Sequence, residues 1–86
     1  MAFSVRFTRE GKESLHRIHI ENQKEVKKVL KELSSDLDLG KPLIGRLEGF
    51  SNLRVGNYRV IYVFNGEVIM VHYVGHRKDV FRDFVG

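Results

Sequence analysis

Eighty-six residues, 42% of them hydrophobic and 30% charged, describe one folded domain spanning 1–86 that is too small to hold a separate cofactor domain. The lack of cysteine excludes a disulfide scaffold, thiol catalysis and cysteine zinc sites. No apolar run reaches the roughly 18–20 residues of a membrane span, and the opening MAFSVRFTRE lacks a secretion signal, so a cytoplasmic protein with no membrane association is expected.

Phe3, Val5 and Phe7 alternate with Ser4, Arg6 and Thr8, which predicts a short half-buried strand. Thr8 is placed to cap a first helix, with Glu10 and Glu13 near its positive end, Leu15 and Ile18 on its apolar side and Gly11 weakening it. Asn22-Gln23-Lys24-Glu25 resembles a capping box and predicts a second helix from about Gln23 to Ser34. Val26, Val29, Leu30 and Leu33 form its single apolar stripe. A break near His19–Asn22 makes the pair a helical hairpin. Residues Ser35 to Gly49 read as a loop punctuated by Gly40, Pro42, Gly45 and Gly49, with Leu43, Ile44 and Leu47 pinning it to the core.

Three antiparallel strands follow: Asn52–Val55, Tyr58–Phe64 and Glu67–Val74. Gly56-Asn57 marks the first turn. Asn65-Gly66 marks the second as a two-residue hairpin, so that Phe64 faces Glu67, Tyr62 faces Ile69, Ile61 faces Met70 and Arg59 faces His72. One face then carries Val60, Tyr62, Phe64, Ile69, Val71 and Tyr73. The other carries Ile61, Val63, Val68 and Met70 and ends in Arg59 and His72. A sheet apolar on both faces must be covered on both. The helical hairpin covers one face. The tail Asp79–Val85, through Val80, Phe81, Phe84 and Val85, covers part of the other. The fold class is α+β: strand, helical hairpin, three-stranded antiparallel meander and short helical tail.

The net charge is +4 and unevenly spread. Residues 1–40 hold eight Lys/Arg against seven Asp/Glu, while residues 41–86 hold seven against four, and five of those seven are arginines. Arginine offers a planar fork suited to phosphate. Lys24, Lys27, Lys28 and Lys31 read instead as a solvated helix face. Phosphate-loop, dinucleotide and nucleophile-elbow motifs are absent. His16 and His19, three apart, can share a helix face, but no third ligand stands at a matching spacing, so no metal site is expected. The remaining constellation is Arg54, Arg59, His72, His76 and Arg77. With Arg59 and His72 as cross-strand neighbours about 5 Å apart, it describes a metal-free phosphodiester site. Arginines hold the phosphate and offset charge in a pentavalent transition state, and a histidine moves the proton. The alternative is that Arg59 pairs with a carboxylate and His72 is a satisfied sheet histidine.

The stretch Leu47-Glu48-Gly49-Phe50-Ser51-Asn52-Leu53-Arg54-Val55-Gly56-Asn57-Tyr58-Arg59-Val60-Ile61-Tyr62 resembles the Leu-x-Gly…Leu-Arg-x-Gly-x-Tyr-Arg-x-x-Tyr signature of the RelE/ParE toxin superfamily. Val74-Gly75-His76-Arg77-Lys78-Asp79-Val80-Phe81 resembles its closing Gly-His-Arg-x-x-Val-Tyr segment. The resemblance implies a RelE-like toxin of a type II toxin–antitoxin system, an endoribonuclease that cleaves ribosome-bound messenger RNA by 2′-hydroxyl attack and needs no cofactor. By position, Arg59 and Arg77 match its phosphate-binding arginines and Arg54 a basic neighbour; Arg46, Asn52, Lys78 and Phe81 complete the RNA-binding set. Two departures from the pattern matter: Phe50 and Asn52 stand where RelE has lysines, and Phe81 stands where a tyrosine is usual. Phe81 can stack on a base, and proton transfer falls to His76 or His72. The same scaffold serves ParE-like inhibitors of DNA gyrase and non-catalytic antitoxin-binding relatives. The resemblance further implies a RelB-like antitoxin that covers the arginine cluster or displaces the tail Asp79–Gly86. The toxin would then be a monomer alone, and a heterodimer or heterotetramer with its antitoxin.

Overall fold

The alternating run near the start of the chain forms β1 (Ser4–Phe7), with Val5 and Phe7 packed inward and Ser4 and Arg6 exposed. Residues 2–85 are described by the computed structural model. Thr8 caps α1 (Arg9–Arg17), its Oγ1 accepting from the Gly11 N–H at 3.0 Å. Ile18 leaves the helix with extended backbone. His19 then caps α2 (Ile20–Ser35), its Nδ1 accepting from the Glu21 N–H at 3.2 Å. The second helix therefore starts before the expected Gln23, because a histidine ring nitrogen fills the capping role assigned to Asn22. The Asn22 side chain donates instead to the Tyr58 hydroxyl at 3.1 Å. The same break puts His16 and His19 on either side of a helix boundary, not on one helix face.

Segment 36–50 is more structured than a loop. It contains 3₁₀ turns at Leu37–Leu39 and Gly45–Leu47 and a short β2 (Lys41–Pro42). Leu43 packs inward and Leu47 is half-buried, but Ile44 is 89% exposed and pins nothing. Ile44 has extended backbone beside an inward Leu43, so its side chain points the other way, into solvent.

β3 (Ser51–Val55), β4 (Tyr58–Phe64) and β5 (Val68–His76) form the antiparallel meander. The five-stranded sheet has the order β1-β5-β4-β3-β2, with β1 parallel to β5. The β4–β5 register departs from the expected one. Phe64 pairs with Ile69, Val63 with Met70 and Tyr62 with Val71. Asn65 Oδ1 accepts from the N–H groups of Glu67 and Val68 at 2.9 and 2.8 Å, so a side chain closes a longer connection than the two-residue turn. A slip of two residues preserves the faces. A bulge then changes them. Ile61 faces Tyr73 while Tyr62 faces Val71, leaving His72 unpaired. Beyond the bulge Tyr73 lies with Ile61 rather than with Val60 and Tyr62, and Arg59 faces Gly75 rather than His72.

Leu15, Val26, Leu30 and Leu33 of the helices cover the first face, against Leu53, Val55, Val60, Tyr62, Ile69, Val71 and Val74. On the second face, Ile61 and Tyr73 pack with the fully buried Val80 of α3 (Val80–Val85). The Phe84 ring lies 5.4 Å from Phe50 and 5.9 Å from Tyr73, and the Tyr73 hydroxyl donates to Asp83 Oδ2 at 3.3 Å. The tail thus covers part of this face, as expected; the Val85 side chain lies outside the described residues. Among the described residues no helix is long and apolar enough to cross a membrane.

Pairing between β1 and β5 ends at Val71, and α1 takes over the edge beyond it. The Thr8 N–H and hydroxyl both donate to Val71 O, at 2.9 and 3.3 Å. Buried Ser14 accepts from the Val74 N–H and donates to Gly11 O, each at 2.9 Å. A Cβ at Gly11 would run into Val71 O. The glycine that weakens the helix is therefore what lets it approach the strand. Helix propensity alone would make Gly11→Ala stabilising by about 1 kcal/mol. Urea unfolding should instead show a loss of about 1–3 kcal/mol, the range for overpacking. Ser14→Ala, which orphans the Val74 N–H, should cost about 1–3 kcal/mol in the same measurement.

Burial raises the Tyr62 hydroxyl above the ordinary 10.0, partly offset by a hydrogen bond with Ser51. Burial also raises Tyr73, and the Asp83 carboxylate adds to it. The unfolded chain thus loses these protons first. Stability is full below about pH 10 and falls as pH rises past it. The alkaline slope of unfolding free energy against pH should be shallower in Tyr73→Phe.

Candidate functional site

The Gly56-Asn57 turn, with Gly56 at φ +58, sets Val55 against Tyr58 and Arg54 against Arg59. Leu53 and Val55 point into the helix-side core, so Asn52 and Arg54 lie on the other face, with Arg59. Two arginines stand directly opposite each other. Like charges in that position are destabilising by roughly 0.2–1 kcal/mol. Among the described residues the ion pairs are Arg9–Glu13, Lys24–Glu21 and Arg82 with Asp79 and Asp83. Among the described residues no carboxylate lies within ion-pair distance of Arg54 or Arg59, which speaks against the reading of Arg59 as a carboxylate partner.

The tail supplies Arg59 with an aromatic lid. Its guanidinium carbon lies 5.5 Å from the centroid of the Phe81 ring. A ring face cannot satisfy every guanidinium hydrogen, and Arg59 Nε is buried with no hydrogen-bond partner. Asn52 Oδ1, on the same face opposite Ile61, is also buried and unpartnered. Each such atom costs about 1–3 kcal/mol. On the other side of Arg59 stands Gly75, and a Cβ there would meet the Tyr73 ring at 2.9 Å. Glycine at 75 leaves that ring its place.

The two candidate histidines part company. His72, the extra residue of the bulge, sits on the arginine face with its ring edge-on to Phe50 at 5.2 Å. The Ile61–Tyr73 pair stands between it and Arg59, so the two are not cross-strand neighbours. His76 shares the helix-side face with Val74 and packs against Tyr58 at 5.7 Å. Its Nδ1 accepts from the Lys78 N–H at 3.2 Å, which leaves the proton of the neutral ring on Nε2. It borders a hollow lined by Ser14, Arg17, His19 and Tyr58, away from Arg54 and Arg59.

Arg77 continues the ladder, its N–H donating to Asn57 O at 2.7 Å, and is exposed beside exposed Lys78. Arg46 is exposed on the turn Gly45–Leu47, outside the Arg54–Arg59 ladder. The structure thus assembles Arg54, Arg59, Asn52 and Phe81 on one face, with His72 further along it. His76 is on the opposite face. Phe50 is the residue that sequence reasoning did not place here. Its signal was weak, a lone aromatic before a strand; it packs against Phe84 of the tail and against His72, which the bulge turns toward it. Among the described residues no three His, Asp or Glu side chains converge on a metal-sized space.

Residues 5–81 match the family model described as ParE toxin of the type II toxin–antitoxin system parDE. Among curated proteins no relative matches. Among solved structures, a chain of the RelBE2 toxin–antitoxin complex from Mycobacterium tuberculosis is 30% identical, with a TM-score of 0.84 over 90% of this chain and 100% of that one. A chain of the RelB–RelE antitoxin–toxin complex from Methanococcus jannaschii is 25% identical, with a TM-score of 0.69 over 93% and 98%. The chromosomal ParDE system of P. aeruginosa shares the fold, at 13% identity and a TM-score of 0.70 over 87% and 96%. The match over most of the chain and the motifs around Arg54, Arg59 and Arg77 agree: the chain belongs to the family of ParE toxins of type II toxin–antitoxin systems, within the RelE/ParE superfamily.

Proposed function

We propose that the protein is a toxin that cuts messenger RNA on the ribosome by metal-independent attack of the substrate's own 2′-hydroxyl. The observation that carries this reading is the direct opposition of Arg54 and Arg59, neither of which has a carboxylate partner among the described residues. Two arginines paired across strands cost stability, and an anion bound between them would offset that cost. The scissile phosphate would supply the acceptors that Arg59 Nε lacks, and the Phe81 ring would move from the guanidinium to a neighbouring base. The two arginines, with Arg77 at the end of the same ladder, offset the charge that builds as the 2′-oxygen bonds to phosphorus and the P–O5′ bond breaks. Of the two histidines, His72 shares the arginine face and is the better placed to take the 2′-hydroxyl proton; the leaving oxygen takes one from solvent or the same ring. Under this reading the ribosome positions the substrate against the arginine face. Relatives of this chain occur in toxin–antitoxin complexes, and an antitoxin that covers Arg54 and Arg59 or displaces the tail Asp79–Gly86 would hold the toxin silent.

A second reading is favoured by two observations. The matched family is described by its ParE members, and Phe81 has no proton to exchange where a tyrosine is usual. Under that reading the protein inhibits DNA gyrase by binding and has no catalytic residue. A toxin-like chain that only binds its antitoxin is the third outcome.

Induced expression followed by mapping of RNA ends separates the three. Codon-positioned cleavage with arrested translation supports the nuclease, DNA breaks with intact messenger RNA support the gyrase inhibitor, and unimpeded growth supports the silent relative. In the nuclease case Arg59→Ala and Arg77→Ala should each slow cleavage about 10- to 150-fold, the equivalent of about 1.5–3 kcal/mol for a charge-assisted bond. Full activity in both would overturn the site. His72→Gln should slow cleavage more than His76→Gln, and the reverse order would move the proton carrier to the helix side. Arg54→Gln should raise folding stability by up to about 1 kcal/mol while weakening RNA binding, since relief of a like-charge pair and loss of an anion ligand act in opposite directions.

A further inference from the structure

The two buried polar atoms that lack a protein partner on the arginine face are of opposite kind. Arg59 Nε is a donor and Asn52 Oδ1 is an acceptor. The strands fix how they stand to each other. Arg54 pairs with Arg59 and Asn52 pairs with Ile61, so Asn52 and Arg59 are diagonal neighbours on one face, about 7–8 Å apart. One small planar group can reach both side chains, and they do not bond each other. The tail covers them. Ile61, opposite Asn52, packs with Val80 and Phe84, and the Phe81 ring lies over the Arg59 guanidinium.

A bound phosphate accounts for only one of the pair. A phosphodiester carries acceptors and no hydrogen to donate, so it satisfies Arg59 Nε and leaves Asn52 Oδ1 as it was. The 2′-hydroxyl has one hydrogen, and in the proposed reaction that hydrogen goes to His72. The remaining donors of an RNA strand are on its bases. Adenine, cytosine and guanine each project an exocyclic amine beyond the ring, at N6, N4 and N2. Uracil projects two carbonyls, and its one donor, N3–H, lies between them. A buried acceptor therefore meets a donor on three of the four bases and another acceptor on uracil.

We propose that Asn52 selects the base beside the scissile phosphate: its carboxamide oxygen accepts from an exocyclic amine and turns uracil away. The inference rests on the reading of the arginine face as a ribonuclease site. The base enters as Phe81 leaves the Arg59 guanidinium, and the freed ring stacks on it and holds its plane. Uracil at that place would leave Oδ1 buried against a carbonyl, with both groups stripped of water and neither bonded. A site built to hydrogen-bond a substrate group rejects an analogue that lacks it more sharply than an apolar pocket rejects a change of size. Asn52 is thus a specificity residue, while Arg54 and Arg59 hold a phosphate that is the same whatever the base.

The test maps RNA ends after induced expression of the full chain and counts the bases on either side of each cut, normalised to their occurrence in translated codons. In the wild type uracil should be disfavoured at least about fivefold against the other three bases at one of the two positions. Asn52→Ala and Asn52→Leu should each bring that ratio to within about twofold of unity. Asn52→Leu replaces an unsatisfied buried acceptor by an apolar group of similar size, so the melting temperature of the purified variant should hold or rise, where loss of a structural asparagine would lower it. Arg9→Ala, exposed on the helix side, should keep the wild-type ratio. An absence of cleavage by the wild type would remove the nuclease reading and this inference with it. Cleavage that ignores uracil at both positions, a bias that survives both Asn52 substitutions, or an equal loss of cleavage at all four bases with the bias intact would overturn the role of Asn52 alone and leave the arginine face standing.

Discussion

β5 has a partner problem that shapes the rest of the molecule. β1 pairs with it only as far as Val71, yet the strand runs on to His76 through the middle of the sheet. Unpaired N–H and C=O groups that deep would cost more than a protein of this size can spare. α1 resolves the problem by lying against the edge. Thr8 bonds to Val71 O, Ser14 bonds to the Val74 N–H, and Gly11 has no Cβ to hold the helix away. The N-cap that starts α1 and the seal that completes β5 are the same threonine. Helix start, crossover and sheet edge are thus one cooperative unit, and the second half of β5 is held straight enough to carry the bulge.

That bulge in turn sets the functional face. A single extra residue, His72, turns Tyr73 toward the tail and brings Gly75 opposite Arg59. Tyr73 then anchors α3 through Asp83 and Phe84, and α3 lays Phe81 over Arg59. A helix of six residues has little stability of its own, so these contacts hold it. The docked tail leaves Arg59 Nε and Asn52 Oδ1 without partners. An aromatic anchor thus holds the tail in place while one buried donor and one buried acceptor on the same small surface stay unsatisfied.

Much of this was legible in the residues, where local chemistry decides. Thr8 as a cap, the apolar stripe of Val26, Leu30 and Leu33, the strands and the tail's placement all follow from short-range patterns. The Arg54–Arg59 opposition follows from Gly56-Asn57 as a two-residue turn that fixes its neighbours, although the sequence reading set Arg54 in the constellation without drawing that pairing. The β4–β5 register was not, because Asn65 can close either a tight turn or a longer one with its own side chain, and the choice is made by tertiary packing. The bulge leaves no mark in the alternation: the run from Val68 to Val74 reads the same with or without it. Its cost to the reading was the Arg59–His72 pairing and the joint placement of both histidines. The packing role of Gly11 was not legible for a related reason. Propensity scales score a helix residue against solvent, and this one faces a strand.

Net charge concealed the other half of the surface. The first forty residues carry almost as many acids as bases, which by count is an ordinary solvated face. The fold sorts them. Glutamates fall away from the groove where β1, α1 and α2 meet and Arg6, Lys12, Lys27 and Lys31 ring it, so a nearly neutral segment presents a strongly positive apolar cleft. The two faces of one small sheet therefore carry their positive charge differently. The arginine face presents forked, planar donors on paired strands beside an aromatic ring, the geometry on which the proposed phosphate site rests. The groove presents three lysines and an arginine around apolar side chains, point charges on mobile stems with no fixed spacing. The sheet stands between the two sets, so a net charge counted along the chain describes neither face.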